Sequence, residues 1–209
     1  MPLYKTIKPT ENTTVHVWKI EESFDDLTNE IELTSKSKSR MLSMNSELHR
    51  RGFLSIRHLL KEAGYTDYDL YYNSNGKPHL KDNKHISITH SFTFSAIIIS
   101  DVEVGIDIEK NREKIKIIQH KFVNFERGFI HKDDDYIQQL TVIWGAKESL
   151  YKIYPYGGLT FKNDIDINSF QIADGRTSGY IKVKDWVKNY DIRFEQINGF
   201  TLVYAIGPS

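Results

Sequence analysis

The sequence predicts an α+β protein made of two halves of similar size. Two observations carry this prediction. The chain has 209 residues, of which 39% are hydrophobic and 12% aromatic, and only five prolines, so it can bury a substantial core. Segments typical of a strand, a helix and further strands come first, and two helical segments followed by strands come after them. We therefore expect residues 1–102 to form an N-terminal α+β subdomain and residues 103–209 a C-terminal one.

The elements of the first half follow from local patterns. Residues 15–20 (VHVWKI) alternate in polarity, which predicts a strand. Residues 35–64 have helical spacing of apolar side chains, with Ser35 or Ser37 as the expected cap, a break expected near Gly52 and Gly64 at the end. Residues 69–72 (DLYY) predict a strand, and the turn-forming residues 73–78 (NSNGKP) follow it.

The middle of the chain, which leads into the second half, is predicted to be rich in strands. Residues 86–88, 92–100 and 102–109 are rich in β-branched and aromatic side chains, which favours three strands. Residues 115–129 predict a mixed helical region. Residues 136–154 predict a long helix, because apolar side chains recur at helical spacing and Pro155 follows. The remainder to residue 206 predicts short strands with turns at Asp174-Gly175 and Asn198-Gly199.

Composition excludes several classes of function. Lys plus Arg and Asp plus Glu are 28 each, and a balanced total disfavours general nucleic-acid binding. Residues 36–61, however, include seven basic residues and only one acid. Such a local positive charge suits the binding of a polyanionic small molecule. The chain has no cysteine, which excludes disulfides, thiolate metal sites and cysteine nucleophiles. No apolar run is long enough for a signal peptide or a membrane span, so we expect a cytoplasmic protein with no membrane partner.

The first candidate site is the strand Gly105-Ile106-Asp107-Ile108-Glu109. Alternate side chains of a strand share a face, so Asp107 and Glu109 point the same way, with Cα atoms roughly 6.5–7 Å apart. Two such carboxylates can converge on one Mg²⁺ ion, which prefers a few carboxylates together with water and substrate phosphates. The alternative is a solvent-facing acidic strand edge that protects against aggregation.

The second candidate site lies on the long predicted helix. Trp144, Glu148 and Lys152 are spaced i, i+4 and i+8, so they line one helix face, with Lys147 beside them. Glu148 could serve as a third metal ligand or as a base, and Lys152 as a phosphate contact. The alternative is a surface Glu148–Lys152 ion pair worth a few tenths of a kcal/mol.

The third candidate site is Thr89-His90-Ser91, at an expected turn between strands. A histidine between two hydroxyls offers several hydrogen bonds to phosphate oxygens. The alternative is ordinary turn chemistry, since serine and threonine favour turns. The sequence contains no paired-histidine metal motif, no phosphate-binding glycine loop and no nucleophile elbow.

In order and spacing these motifs are similar to those of one enzyme family. They are G-K-P at residues 76–78, I-T-H-S at 88–91, G-I-D-I-E at 105–109 and W-G-A-K-E at 144–148, followed by Lys152. The set resembles the signature of the Sfp-type 4'-phosphopantetheinyl transferases, over about residues 36–160. The resemblance implies a pair of pseudo-symmetric α+β subdomains with the cofactor in the cleft between them, and a monomer.

The resemblance also implies roles for individual residues. It makes Asp107, Glu109 and Glu148 the Mg²⁺ ligands, and Glu148, Lys152 and His90 the catalytic residues. The implied coenzyme A contacts are Lys38, Arg50, Arg51, Gly76, Lys77, Pro78, Thr89, His90 and Lys152. Two matches depart from the pattern: Thr89 stands where the family has serine, and Glu126 aligns only loosely with a further conserved acid.

The activity implied is Mg²⁺-dependent transfer of the phosphopantetheine arm of coenzyme A to a serine of an apo acyl- or peptidyl-carrier protein, with release of 3',5'-ADP. Glu148 is the candidate base, and the sequence leaves open whether it binds metal or takes the proton. Two other functions remain open. The same carboxylates could serve a Mg²⁺-dependent phosphoester hydrolase, or the protein could be a catalytically silent module that binds coenzyme A. The sequence does not identify the carrier.

Overall fold

The chain divides into two compact units, Met1–Asp101 and Val102–Ser209. The computed structural model describes residues 3–133, 135–184 and 186–208. Each unit combines strands and helices, as the sequence predicts for an α+β protein. The division between residues 101 and 102 lies one residue before the predicted boundary.

Unit 1 contains six strands and three helices in its described part. In chain order they are β1 (Leu3–Thr10), β2 (Thr13–Lys19), α1 (Phe24–Asn29), α2 (Ser35–Leu42), α3 (Glu47–Glu62), β3 (Leu70–Tyr72), β4 (Pro78–Leu80), β5 (His85–Ser91) and β6 (Phe94–Ser100). Four strands form an antiparallel sheet in the order β1-β2-β6-β5, and β3 and β4 form a separate hairpin. This arrangement leaves β5, which carries His90, at one edge of the larger sheet.

The core of unit 1 lies between α3 and the sheet. Helix α3 is amphipathic, and its residues 52–60 are all buried. They pack against buried side chains of β2, β5 and β6, among them Trp18, Ile86 and Ile97. The apolar spacing predicted from the sequence therefore gives the helix that forms this core.

The helical region of residues 35–64 differs in detail from the prediction. The break falls at residues 43–46, between α2 and α3, and Gly52 lies inside α3. The side chain of Thr34, rather than Ser35 or Ser37, caps α2 by accepting a hydrogen bond from the backbone of Ser37. Three elements of unit 1 had no prediction: β1, β4 and the short helix α1, which begins with a reciprocal Ser23–Asp26 capping box.

Unit 2 contains five strands and two α-helices in its described part. They are β7 (Val104–Lys110), α4 (Ile115–Ile118), α5 (Tyr136–Ile153), β8 (Ile165–Ile167), β9 (Arg176–Val183), β10 (Trp186–Ile197) and β11 (Phe200–Ile206). The strands form one antiparallel sheet in the order β7-β11-β10-β9-β8. Single 3₁₀ turns occupy Gln119–Lys121, Phe125–Gly128 and Ile172–Asp174.

A two-residue hairpin sets the register of the sheet around β7. Ile197 pairs with Phe200, so Asn198 and Gly199 form the loop, with φ of 47° and 80°. Positive φ at both loop residues is the geometry of a type I' turn, which asparagine followed by glycine favours. The turn predicted from this pair is confirmed.

Helix α5 forms the core of unit 2. It runs from Tyr136 to Ile153, as predicted, and eleven of its residues are buried. Side chains such as Leu140, Ile143 and Leu150 belong to a buried cluster that also contains Val203 and Ala205 of β11. None of the helices in the described part of the chain has the length and apolar character that crossing a bilayer requires.

Candidate functional site

Strand β7 presents two carboxylates toward helix α5. Asp107 pairs with Val203 of β11, and Glu109 pairs with Thr201, so the two acids lie two residues apart on the same face. Asp107 is buried and Glu109 is half-buried. The intervening Ile108 lies on the opposite face and is fully buried. The strand alternation that the sequence predicts for this motif is thus confirmed.

Two glycines allow α5 to lie in close contact with the sheet, Gly105 between β7 and α5 and Gly145 where α5 meets β11. A Cβ atom on Gly105 would lie 2.0 Å from the carbonyl oxygen of Ser149, and one on Gly145 would lie 2.7 Å from Cγ2 of Val203. Both distances are far below van der Waals contact, so neither position has room for a side chain. The same Cβ on Gly145 would lie 3.7 Å from Oδ2 of Asp107. At Gly145, therefore, the backbone of α5 rather than a side chain lies beside Asp107.

Helix α5 brings Glu148 and Lys152 to the same place. Lys152 donates through Nζ to the carbonyl oxygen of Ile106 at 2.7 Å and to Oδ1 of Asp107 at 2.9 Å. This bond replaces the Glu148–Lys152 surface pair considered from the sequence, because Lys152 reaches the strand. The lysine predicted as a phosphate contact is thus bonded to a predicted metal ligand.

The electrostatics of Glu148 link it to both acids of β7. Burial raises its pKa, and the negative charges of Asp107 and Glu109 raise it further, whereas Lys152 lowers it; the resulting pKa is about 7. A carboxyl group with such a pKa is held in an environment that disfavours its charge. The same pKa is suited to accepting a proton near neutral pH.

The donor set is compatible with a divalent cation, although it is not arranged as a finished site. Among residues 3–133, 135–184 and 186–208, no three His, Asp or Glu side chains are grouped closely enough to hold a metal ion. Yet Asp107 and Glu109 both act on Glu148 strongly enough to raise its pKa. A cation among these carboxylates would relieve that repulsion, and oxygen ligands of this kind are those that Mg²⁺ prefers. The predicted triad therefore fits the ion chemically and remains a prediction.

A buried ion pair links α5 to the segment that precedes it in the chain. Lys147 and Glu126 are both fully buried and 2.7 Å apart. Lys147 also donates to the carbonyl oxygens of Phe122 and Phe161, and Glu126 accepts from the backbone N–H groups of Asn124 and Ile167. Every charge-bearing group of the pair is thus hydrogen-bonded, which an ion pair in a dry interior requires.

The structure shows where Glu126 lies, the residue that aligns only loosely with a further conserved acid of the family. It lies in the core, bonded to the residue next to Glu148, and not among the carboxylates of β7. The pair was not predicted as such, because 21 residues separate its members and nothing local marks them as partners. The only sequence signal was Lys147 itself, a charged residue on the apolar side of a predicted helix.

In unit 1, His90 lies on the face of β5 that α3 covers. A Cβ atom on Gly52 would lie 2.6 Å from Cδ2 of His90, so the glycine makes room for the imidazole ring. This contact explains why Gly52 is found inside α3 and not at a break. His90 and Ile88 line a cavity of about 280 Å³.

The cavity beside His90 is also lined by basic residue types that the sequence analysis did not propose as contacts. Its lining includes Arg40, whose guanidinium lies 4.9 Å from the centre of the Tyr72 ring, and His49, whose ring is 6.2 Å from that of His90. Arg40 belongs to the last turn of α2, within the basic stretch that the sequence analysis noted. Only the tertiary structure shows which of those basic residues converge.

The remaining predicted contacts lie elsewhere in unit 1. The guanidinium of Arg50 lies over the Phe24 ring at 5.4 Å, Arg51 donates to the carbonyl oxygen of Ile20, and neither lines the cavity beside His90. Lys38 is exposed on α2. The roles predicted for Lys38, Arg50 and Arg51 stay predictions.

Thr89 and the G-K-P segment have clear local roles. Thr89 is buried, and the alternation of β5 puts its side chain on the face opposite to His90, so the two do not share the cavity. Residues 89–91 are part of a strand and not of the expected turn. Gly76 and Lys77 close the β3–β4 hairpin, where Asn73 accepts from the backbone of Lys77, and Pro78 opens β4.

Comparison with known proteins addresses unit 2. Residues 103–204 match the sequence profile of the 4'-phosphopantetheinyl transferase superfamily. The match contains the glycine-lined contact and all four polar residues of the site, Asp107, Glu109, Glu148 and Lys152. A search of curated proteins found no match. The phosphopantetheinyl transferase profile thus covers the carboxylates and leaves out the cavity of unit 1.

Proposed function

We propose that this protein is a Mg²⁺-dependent 4'-phosphopantetheinyl transferase of the Sfp type, which moves the phosphopantetheine group of coenzyme A to a serine of an apo acyl- or peptidyl-carrier protein. One observation carries the proposal. Within the segment that matches the superfamily, Glu148 of α5 lies close enough to Asp107 and Glu109 of β7 for their charges to raise its pKa to about 7. The proposal includes a monomeric protein acting in the cytoplasm.

The proposed Mg²⁺ ligands are Asp107, Glu109 and Glu148. When bound, the ion would neutralise the diphosphate of coenzyme A and polarise the phosphorus that is attacked. The contact between Gly105, Gly145 and their neighbours supports this assignment, because it fixes the strand and the helix that carry the ligands. Precise support of this kind is what a site needs if it is to hold several charged groups in one geometry.

Cationic side chains are proposed to hold the phosphates. Lys152 would neutralise charge on the diphosphate, since its ammonium group is already placed beside Asp107. His90 would donate to a phosphate oxygen, and Arg40 and His49, which line the same cavity, would assist it. The hairpin turn at residues 76–78 is proposed to contact the adenine end. Charge-assisted hydrogen bonds of these types are stronger than neutral ones.

The chemical step needs no protein nucleophile. The serine oxygen of the carrier forms a bond to the phosphorus that carries the pantetheine arm, and the phosphoric anhydride bond breaks, so that 3',5'-ADP leaves with the bonding electrons. The serine proton passes to a base, for which Glu148 is the proposed group because its carboxyl group lies beside Asp107 and Glu109 at the proposed metal site. Lys152 and His90 stabilise the negative charge that develops on the leaving phosphate.

A mass-spectrometric assay tests the proposal. The purified protein is incubated with coenzyme A, Mg²⁺ and a panel of apo-carrier proteins, and the carriers are weighed intact. We expect addition of one phosphopantetheine group to a single serine of at least one carrier, and no addition in the presence of EDTA. Turnover of coenzyme A or a phosphodiester without a carrier would instead identify a hydrolase. Binding of coenzyme A without any product would identify a silent binding module.

Three variants test the site within the same assay. Asp107→Ala, Glu109→Ala and Glu148→Gln should each abolish transfer while the circular dichroism spectrum stays that of the wild type. Glu113→Gln, an exposed acid of the same unit, serves as the matched control and should transfer normally. Transfer at the wild-type rate by all three site variants would rule out the proposed mechanism.

A further inference from the structure

Helix α2 has almost no apolar anchorage of its own. Among its eight residues only Met41 is buried, and Leu42 at its end is 65% exposed. An isolated helix of this length is not stable in water, so its position depends on contacts with the rest of the protein. The position of α2 matters for the candidate site, because its last turn carries Arg40, which lines the cavity beside His90.

A buried carboxylate holds the beginning of α2. Asp67, in the connection between α3 and β3, is only 4% exposed. Its Oδ2 atom accepts hydrogen bonds from the backbone N–H and from the hydroxyl group of Thr34, each at 2.9 Å, and Oδ1 accepts from the hydroxyl group of Ser37 at 3.0 Å. Thr34 is the cap residue of α2, and Ser37 belongs to its first turn. The helix dipole also favours a negative charge at this end of the helix.

The same carboxylate joins α2 to α3. Arg57 of α3 donates from Nε to Oδ1 of Asp67 at 2.9 Å, and both side chains are almost completely buried. The other guanidinium nitrogens donate to the carbonyl oxygen of Phe53 at 3.2 Å and to the hydroxyl group of Ser37 at 3.4 Å. Burial alone would raise the pKa of Asp67, but the hydrogen bonds from Thr34 and Ser37 and the charge of Arg57 outweigh it and hold the pKa below its ordinary value. Asp67 is therefore negatively charged at neutral pH and ties the two helices together.

Two arginines line the cavity beside His90, and they differ in how their charges are used. The guanidinium of Arg57 is neutralised within the protein by Asp67. Arg40, in contrast, forms no ion pair with any residue that the structure describes, and its guanidinium lies over the Tyr72 ring. Of the two, Arg40 is therefore the one that an anionic ligand in the cavity can pair with.

Asp67 acts on Arg40 through the body of α2. Ser37 and Arg40 are three residues apart, a rise of about 4.5 Å and slightly less than one helical turn. Backbone hydrogen bonds keep the helix rigid over so short a distance. A shift of the first turn would therefore displace Arg40 relative to His49 and His90, which are carried by α3 and β5.

We propose that Asp67 is a positioning residue for coenzyme A binding, which contacts no part of the cofactor and sets the place of Arg40 by holding the first turn of α2. The inference rests on the proposed function, because that function makes coenzyme A the ligand of the cavity beside His90. A carboxylate that only stabilised unit 1 would contribute to the free energy of unfolding, but its effect on ligand binding would not depend on Arg40.

A double-mutant cycle, with coenzyme A binding measured by calorimetry, tests the inference. Asp67→Asn keeps the size of the side chain, but it removes the charge and places an amide NH₂ group among hydrogen-bond donors. We expect this variant to bind coenzyme A about three- to tenfold more weakly than the wild type, and the loss should not exceed that of Arg40→Ala. In a protein that already carries Arg40→Ala, the change at Asp67 should not weaken binding further, because no guanidinium remains to be positioned.

Asp69→Asn is the matched control. The carboxylate of Asp69 accepts from the backbone N–H and the hydroxyl group of Thr66 at 2.8 and 2.7 Å, so it makes similar bonds two residues from Asp67 but makes them to Thr66 and not to α2. This variant should bind coenzyme A as the wild type does. Ser37→Ala is the second test variant and replaces Asp67→Asn if that protein does not fold. It removes one bond between Asp67 and α2 but keeps the ion pair with Arg57, and it should weaken binding about threefold, again only when Arg40 is present.

The outcomes separate this inference from the proposed function. Wild-type affinity in the folded Asp67→Asn or Ser37→Ala protein would overturn the positioning role, and so would an equal loss of affinity with and without Arg40. Unchanged binding by Arg40→Ala would also overturn it, since Arg40 would then make no contact that needs positioning. Each of these results leaves transfer to a carrier protein intact. Absence of coenzyme A binding by the wild type would overturn the proposed function together with the inference.

Discussion

Replacement of Glu148 by glutamine should stabilise the metal-free protein while it abolishes transfer. The reason is the raised pKa of the carboxyl group, which changes from its ordinary 4.5 to about 7 through burial and through the charges of Asp107 and Glu109. A folded-state pKa above the unfolded value means that the native protein binds a proton more tightly there. Stability is therefore lost as the pH rises from 4.5 to 7, and the loss is complete above pH 7.

The size of the effect follows from the shift. One pKa unit corresponds to about 1.4 kcal/mol, so this change in pKa sets an upper limit of roughly 3 kcal/mol at pH 8. Glutamine keeps the shape and part of the desolvation penalty of the carboxyl group, but it removes the repulsion. We expect Glu148→Gln to increase the free energy of unfolding by about 2 kcal/mol at pH 8, and by almost nothing at pH 4.

Urea unfolding in EDTA, followed by tryptophan fluorescence at pH 8 and pH 4, measures this difference. Glu113→Gln is the matched control, because that acid is exposed and pairs with Lys116 on the surface. Addition of Mg²⁺ at pH 8 should stabilise the wild type more than Glu148→Gln, since the variant lacks one ligand. A Glu148→Gln protein that is no more stable than the wild type at pH 8, or equally stabilised at both pH values, would refute the reasoning.

Three further predictions concern the residues around the site. Lys147→Met should lower the free energy of unfolding by about 3–5 kcal/mol, because it leaves Glu126 charged in the core. A second change, Glu126→Gln, should recover much of this loss. Urea unfolding of both variants tests the prediction, and a double variant as unstable as Lys147→Met would contradict it. Gly145→Ala should weaken Mg²⁺ binding measured by calorimetry and destabilise the fold by about 1–3 kcal/mol, since its Cβ has no room; wild-type affinity would contradict the close contact. Arg40→Ala should raise the KM for coenzyme A roughly tenfold without changing kcat, as expected for a lost charge-assisted hydrogen bond, and a larger effect from Lys38→Ala would favour the original prediction from the sequence.

The sequence predicted those parts of the site that depend on local periodicity. Asp107 and Glu109 share a face because a strand alternates, and α5 is where its apolar spacing predicts it. The turn at Asn198-Gly199 followed from residue type alone. In each case the signal lies within a few neighbouring residues, which is the range over which backbone geometry can be inferred from a single chain.

The features that the sequence did not predict depend on contacts between distant segments. Gly52 suggested a break in a helix, but it leaves space for the His90 ring, a contact across 38 residues. The ion pair of Glu126 and Lys147 and the convergence of Arg40 with His90 are of the same kind. A residue's propensity cannot distinguish a glycine that ends a helix from one that lets another side chain approach.

The backbone-to-backbone approach of β7 and α5 at Gly105 has a consequence for redesign. Since no side chain separates the two elements there, the spacing between the strand carboxylates and the helix carboxylate is set by main-chain atoms. Exchanging Asp107 for glutamate, or Glu148 for aspartate, would therefore lengthen or shorten one ligand's reach by a single methylene on an unchanged frame. Such a pair of variants tests how the length of a ligand side chain affects the choice of ion. The preference for Mg²⁺ over the larger Ca²⁺ should shift with side-chain length alone.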